Sequence, residues 1–352
     1  MQLTAEKILN SMTLEEKVGQ LFIIRPDQLE INLSLEDIHN DSKVPGVKNL
    51  TALMLATLKK YPAGGFVFFG KNIKSPKQLK NFIQELKNAS KVSPIMAIDE
   101  EGGQITRIAK KKSFNVPKYK TMEAIGKTGD PQKAYDAAKT IASYLKEYGF
   151  TLNFAPVADI NTNPQNIIIG SRAFGSDPEL VSKMVSAYLD GLHSQGILGN
   201  IKHFPGHGDT TNDTHSGYVA INKTWDELLQ AELIPFCDNF KKTDAVMIAH
   251  ITLQNITHDN LPATLSKEFI TGKLKNELGY NGLIITDALN MKAIRENYSS
   301  AEAATLAFEA GCDILLMPYD YREAFDALLN AVKSGRISEE RLNKSVLKIL
   351  LF

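Results

Sequence analysis

The chain has 352 residues, 43% hydrophobic and 23% charged, the balance of an ordinary globular protein with room for one large domain or two smaller ones. Lysine plus arginine and aspartate plus glutamate stand at 40 each, so bulk charge excludes neither pole in particular and favours neither nucleic acid nor a membrane surface as a partner. No apolar run is long enough to span a bilayer. The N-terminus lacks the basic start and apolar stretch of a signal peptide, which points to the cytoplasm, or to a secreted or surface-anchored protein if a leader has been removed. Cys237 and Cys312 lie in apolar contexts without CxxC spacing and read as buried free thiols.

In chain order, Thr13 to Glu16 spells a capping box that predicts a helix, and Leu21-Phe22-Ile23-Ile24 predicts a first strand stopping at Arg25-Pro26. Asp27 to Val47 is polar and irregular, with Pro45-Gly46 as a turn signal, and reads as a long surface loop. Helical apolar spacing follows over Asn49 to Tyr61. From there short apolar runs alternate with amphipathic helices. Gly65 to Phe69 precedes a helix starting at Ser75-Pro76. Pro94 to Ile98 ends in Asp99. A helix from Asp130-Pro131 to Tyr148 leads to the run Thr151 to Val157 and then Asp159. Another helix starts at Asp177-Pro178, and Gly196 to Ile201 leads into Lys202-His203. A capping box at Thr224 to Glu227 predicts one helix toward Phe240; Asp244 to Ala249 ends at His250. Beyond a helix from about Ser266, Gly282 to Thr286 ends at Asp287. Ser299 to Glu302 caps a helix before Cys312 to Met317. Two helices, Tyr321 to Lys333 and Ser338 to Leu350, close the chain.

Some eight strands alternating with helices predict an α/β fold with a parallel sheet. A doubly wound open sheet fits the pattern; the (β/α)8 TIM-type barrel in a single domain, irregular in its first βα unit, fits it better. Arg25, Asp99, Asp159, Lys202-His203, His250 and Asp287 all fall at predicted strand exits. In a barrel those exits converge on one mouth, where the active sites of this fold lie.

Ile201 to Gly217, IKHFPGHGDTTNDTHSG, is the densest polar stretch, with three of the seven histidines. Three chemistries are open to it. His203, His207, Asp213 and His215 are possible metal ligands, although Pro205, Gly206 and Gly208 prevent a helical HxxxH face and no cysteine supports the set. Lys202 at a strand end suits a Schiff base. Asp213 and His215, two apart on an extended loop, suit an oriented acid/base pair. His207 is set apart as a histidine that bonds the loop itself. Asp99 begins DEEGGQITR, whose glycine pair marks a tight turn; its three carboxylates with Arg107 suit a hydroxylated ligand and would repel a phosphate. Arg172, in GSRAFG, can offer a forked donor to a ligand oxygen. Asp287 ends an apolar strand, where a carboxylate is costly unless paired or functional, and a nucleophile aimed at a sugar carbon is coherent chemistry there.

KHFPGHGDT followed by DTH, DEEGG with Arg107, IGSRAFG and ITDAL together resemble glycoside hydrolase family 3, and within it the β-N-acetylglucosaminidases (β-hexosaminidases). The resemblance runs over essentially the whole chain. It implies a retaining glycosidase on a β/α barrel over residues 1–352 without a second sandwich domain, needing no cofactor or metal. Asp287 would be the nucleophile, His215 the acid/base and Asp213 its partner. Asp99, Arg107, Arg172, Lys202 and His203 would hold the terminal N-acetylglucosamine. A GlcNAc-terminated carbohydrate from peptidoglycan or related glycosides is the implied partner, bound by a monomer; a family 3 phosphorylase or β-glycosidase of other sugar preference, and an inactive sugar-binding protein, are the alternatives. Thr214 stands where serine is common between the dyad members, and Gln104 where arginine is common after the glycine pair.

Overall fold

The computed structural model describes residues 2–42, 44–210 and 219–352. Eight parallel strands lie in the order β8-β1-β2-β3-β4-β5-β6-β7. They are β1 (Phe22–Ile24), β2 (Gly65–Phe68), β3 (Ile95–Ile98), β4 (Leu152–Asn153), β5 (Leu198–Phe204), β6 (Ala245–Ile248), β7 (Leu283–Thr286) and β8 (Leu315–Leu316). A parallel bridge between Ile285 and Ile314, with hydrogen bonds Thr286 N–Ile314 O of 3.0 Å and Leu289 N–Leu316 O of 2.9 Å, joins β7 to β8 and completes the ring. This is the predicted (β/α)8 barrel. Its strands are buried almost throughout, which is why they read as unbroken apolar runs rather than as alternation.

The helices begin where the sequence signals them. Thr13, Thr224 and Ser299 form full capping boxes, each satisfying two backbone donors that a helix start otherwise leaves orphaned. Ser75 caps its helix by accepting from Gln78 N, while the Gln78 side chain bonds Lys74 N instead of closing a box. Three elements differ from expectation. The helix expected from Thr224 to Phe240 is two helices, Trp225–Gln230 and Ile234–Asn239, because Pro235 cannot donate the bond that would continue the first. β4 is shorter than Thr151 to Val157, since Pro156 offers no N–H to the ladder; pairing resumes at a Val157–Lys202 bridge. β5 is longer, and carries Lys202 and His203 inside the strand rather than beyond it.

The segment from Asp27 to Val47 is not a passive surface loop. It contains a turn at Pro26–Leu29 and a helix at Leu35–His39. Asp27 is fully buried and accepts from Asn72 Nδ2 at 2.6 Å and Val47 N at 3.1 Å. Lys71 Nζ donates to the carbonyls of Asp37, Ile38 and Asn40 at 2.9, 2.9 and 3.0 Å, closing the short helix as a cation closes any helix C-terminus. Arg25 bonds Ile38 O at 2.8 Å and Asp41 at 2.6 Å and lies 3.9 Å over the Phe69 ring. Arg25 is therefore sealed beneath this segment, holding it to β1 and β2. His39 stacks on Tyr319, bonds its carbonyl at 2.7 Å, and meets Asn290 at 2.8 Å. It bridges the segment to the loops after β7 and β8.

Burial, with smaller contributions from the Arg25 and Lys71 charges, pushes the His39 pKa down to about 4. A folded-state pKa below the unfolded value near 6.5 means the unfolded chain binds the extra proton, so this histidine costs stability as pH falls from about 6.5 to 4. A His39→Gln variant should show a pH dependence of stability shallower by about 2 kcal/mol across that window, read from denaturant midpoints. An unchanged slope would contradict the assignment.

Candidate active site

A chain of alternating charge crosses the C-terminal mouth of the barrel. Arg107 Nη2 lies 3.2 Å from Asp99 Oδ2, and Lys202 Nζ lies 3.0 Å from Asp99 Oδ1 and 2.7 Å from Glu101 Oε1. Arg172 grips Glu101 through Nε at 2.9 Å and Nη2 at 2.7 Å. That Nη2 also meets His203 Nε2 at 3.3 Å, and His203 Nδ1 meets Asp159 Oδ2 at 2.7 Å. A guanidinium only donates, so Nε2 accepts and the His203 proton sits on Nδ1, facing Asp159. Asp159 Oδ1 also receives the backbone N–H groups of His203 at 3.1 Å and His207 at 2.7 Å.

These groups come from three neighbouring strands, Asp99, Glu101 and Arg107 after β3, Asp159 and Arg172 after β4, and Lys202 and His203 at the end of β5, which is how a barrel assembles a site from residues far apart in sequence. The turn after β3 depends on its two glycines: Gly102 (φ +92°) and Gly103 (φ +65°) both adopt left-handed backbone. Glu100 then fastens the returning loop, accepting from the N–H groups of Arg107, Ile108 and Ala109 at 2.5, 2.9 and 2.9 Å and from the Tyr144 hydroxyl at 3.0 Å. Glu100 and Glu101 are buried, so only Asp99 of the three carboxylates reaches the mouth. Arg107 lies 4.9 Å from the Phe69 ring centroid, and Arg25 also lies over that ring.

Electrostatics resolve one of the open chemistries. Burial alone would lower the Lys202 pKa, but Glu101 and Asp99 outweigh it and raise it above the ordinary lysine value. A Schiff-base lysine needs the opposite, a neutral amine. Lys202 is a fixed cationic donor. Its partners respond in kind: against burial, Lys202 and Arg172 hold Glu101 down to about 2, and Lys202 and Arg107 hold Asp99 well below the usual carboxylate range. Against burial, His203 likewise lowers Asp159.

The polar strand exits, alike in sequence, divide by burial. Asp99, Arg107 and Asp287 remain partly open to the mouth, whereas Arg25, Asp159 and His250 are sealed. His250 lies between the Thr264 hydroxyl at 2.8 Å and Ala288 O at 3.0 Å. Asp287 Oδ1 accepts from Ala288 N at 2.7 Å, and its backbone N–H reaches Ile248 O at 2.9 Å, pinning the exit of β7 to β6. Its charge acts on both His207 and His250, raising pKa values that burial lowers in each. The fork of Arg172, expected to face a ligand, is spent on Glu101; its Nη1 bonds Ile168 O at 2.9 Å. His207 bonds Thr210 at 2.7 Å, in keeping with its separate role.

Asp213 and His215 lie outside the described residues. The chain on either side is tied down. Asn166 Nδ2 holds His207 O at 2.7 Å, and Lys223 pairs with Asp209 at 3.4 Å and with Glu232. Val219 pairs with Ile251 just past His250. Gly208 is required by packing: a Cβ there would fall 1.7 Å from Ile160 O. Gly206, at φ +123°, needs glycine for its backbone. Among the described residues no group of three or more His, Cys, Asp or Glu side chains could hold a metal ion. Nor is any described helix long and apolar enough to cross a membrane. Glu101, Asp159 and Phe69 were not singled out as partners from sequence; a DEE run and an exit aspartate were their only signals.

This is a (β/α)8-barrel protein with a charge-paired polar pocket at its catalytic pole. The chain belongs to glycosyl hydrolase family 3, whose N-terminal domain model matches residues 13–351. It is 31% identical over 319 residues to Beta-hexosaminidase A of Pseudoalteromonas piscicida, covering 83% of this chain and 53% of that protein. It is 33% identical over 255 residues to the Beta-hexosaminidase of Tolumonas auensis, covering 72% of this chain and 75% of the other. Among solved structures it is similar to a family 3 beta-N-acetylglucosaminidase from Paenibacillus sp. str. FPU-7, with TM-score 0.86 and 36% identity over 97% of this chain and 62% of that one. The chain thus spans about half the length of the first of these relatives.

Replacing Lys202 by Met would leave Asp99 and Glu101 as adjacent buried charges without their shared counter-ion, a loss of about 3–5 kcal/mol. The pH response should also flatten. In the native chain these depressed carboxylates contribute stability above pH 4 that is lost as pH falls toward about 2, the Glu101 value. In the variant Asp99 keeps only Arg107 and Glu101 only Arg172, so both pKa values rise and less stability is lost across that window. Denaturant melts at several pH values decide it; parallel native and variant curves would refute the pairing.

Proposed function

We propose that this barrel is the catalytic unit of a retaining exo-β-N-acetylglucosaminidase acting on terminal GlcNAc of peptidoglycan-derived or related glycosides. The observation that carries the proposal is the Arg107–Asp99–Lys202–Glu101–Arg172 chain beside Asp287. Its charges are paired before any ligand arrives, which suits an uncharged, hydroxyl-rich sugar better than an anion. The names of the similar proteins point the same way.

In the proposed reaction Asp287 attacks the anomeric carbon as the bond to the leaving oxygen breaks, and His215 gives that oxygen its proton. The glycosyl-enzyme ester is then cleaved by water, whose proton returns to His215 while Asp287 leaves as carboxylate. Asp213 orients and polarises His215. A histidine suits both transfers because it titrates near neutrality without the burial a carboxylic acid would need. Asp99 and Lys202 offer an acceptor and a donor to sugar hydroxyls, with Arg107 beside them. Glu101, Arg172, His203 and Asp159 keep that pair in place.

The decisive measurement is turnover of aryl β-GlcNAc against aryl β-glucoside and β-xyloside, with and without phosphate. Preference for the N-acetyl sugar and a free-GlcNAc product are expected; a sugar phosphate product would make the protein a phosphorylase. Asp287→Ala should lower kcat by at least about 10³-fold while GlcNAc binding persists. For His215→Ala the loss should shrink as the aryl leaving group becomes more acidic, since such a group needs no proton. A loss independent of the leaving group would remove His215 from the acid role.

A further inference from the structure

The opposite pole of the barrel carries a second charged site. An open cleft of about 550 Å³ lies at the entries of β7 and β8, between the helix Glu268–Glu277 and the C-terminal helix Glu339–Leu351. Six cations line it, Lys267, Lys275, Arg336, Arg341, Lys344 and Lys348, against two carboxylates, Glu309 and Asp313. That is an excess of four positive charges on one cleft of a chain whose formal net charge is zero.

The carboxylates do not neutralise it. Glu309 is taken by Arg336 in a two-pronged pair at 2.7 and 2.9 Å. Asp313 is buried at the floor and already bonded by the Ser345 hydroxyl and Ile284 N; Arg341 and Lys348 each approach it only to 3.5 Å. Lys275 Nζ is anchored on Gly311 O, and Lys348 Nζ donates to Gly282 O at 3.0 Å. Arg341 bonds Cys312 O at 2.7 Å and Phe308 O at 3.3 Å through Nη2 and the Ser345 hydroxyl through Nη1, so neutral oxygens hold these cations and leave their charge in place. Lys267 and Lys344 are exposed at the rim and make no ion pair among the described residues. Burial lowers the pKa of both Lys275 and Arg341; Asp313 opposes it in each without restoring the ordinary value, and Arg341 and Lys348 add to the lowering of Lys275. Like charges held together in this way are stabilised when an anion enters between them.

We propose that this cleft binds a small phosphoryl anion, either free phosphate or pyrophosphate or the phosphate of a monoester, between Lys267 and Lys344 at the rim and over the positive charge of Arg341, whose Nη groups are held by oxygens of the floor. A dianion answers the charge excess better than a single carboxylate, and a guanidinium with ammonium groups around it is a common setting for phosphate oxygens. The site is remote from the sugar pocket and does not depend on the reaction proposed there.

Calorimetric titration of the whole chain at fixed ionic strength tests it, with pyrophosphate, inorganic phosphate, a sugar phosphate and sulfate as probes. One pyrophosphate site tighter than about 1 mM is expected, weakened at least about tenfold in a Lys267→Glu, Lys344→Glu double variant and unchanged in Lys133→Glu. Both rim lysines are exposed, so the double variant keeps its fold. Tightest binding of the sugar phosphate would assign the monoester, and of pyrophosphate or phosphate the free anion. No pyrophosphate binding below about 10 mM, equal binding by the double variant, sulfate bound as tightly as pyrophosphate, or inhibition competitive with the glycoside would each overturn the proposal.

Discussion

The site rests on one buried ammonium group. Lys202, 3% exposed in its side chain, stands between Asp99 and Glu101 and, among the described residues, alone joins the turn after β3 to the end of β5 through charge. Remove it and two carboxylates face each other in a medium that screens poorly; keep it and each becomes more acidic than in water. The remaining contacts are arranged around that balance. Arg107 takes the second oxygen of Asp99, Arg172 covers Glu101, and His203 passes the polarity on to Asp159. A buried pair is seldom a net source of stability, so a chain of them at a barrel mouth is better understood as a cost met by packing elsewhere. Here that packing is the ring of buried strands, Phe22 to Leu316, which holds the strand ends still.

The barrel was legible because its strands are short, apolar and separated by capped helices, and because helix starts depend on neighbours three residues apart. What was not legible is partnership. Arg172 meets Glu101 across 71 positions and Lys202 meets Asp99 across 103, and nothing local marks either pair. The candidate residues were placed at strand exits from sequence, but which of them face a ligand and which support a neighbour is a matter of burial. Arg25 and His250 illustrate it: both sit at exits, and both are locked into loop-holding contacts. Polar composition misled over Asp27 to Val47, because a loop with few apolar residues can still be held by buried hydrogen bonds, as Asp27 and Asn72 show.

The stretch of chain from His203 to Thr210 is fixed from several sides. Asp159 fixes both His203 and the backbone of His207, and Asn166 fixes the His207 carbonyl. The FPGHG turn is therefore part of the rigid pocket as far as Thr210, whose hydroxyl is tied to the His207 ring. Lys223 performs the matching task on the far side by pairing with Asp209 and Glu232.

The two poles of the barrel use charge in opposite ways. At the mouth, cations and carboxylates pair among themselves, so a ligand entering finds oriented donors and acceptors with little net field. A neutral sugar can exploit these without paying for the separation of ions, because the protein has already arranged them. At the entry pole the cations outnumber their partners, and Asp313 is occupied by Ser345 and Ile284 before any cation reaches it. The same side-chain types thus yield a charge-paired site in one place and an excess of positive charge in the other. The difference lies in the number of carboxylates and in how they are held: Glu101 meets Lys202 at 2.7 Å, whereas at the entry pole Glu309 is spent on Arg336 alone and Asp313, bonded by Ser345 and Ile284, faces the remaining cations by itself.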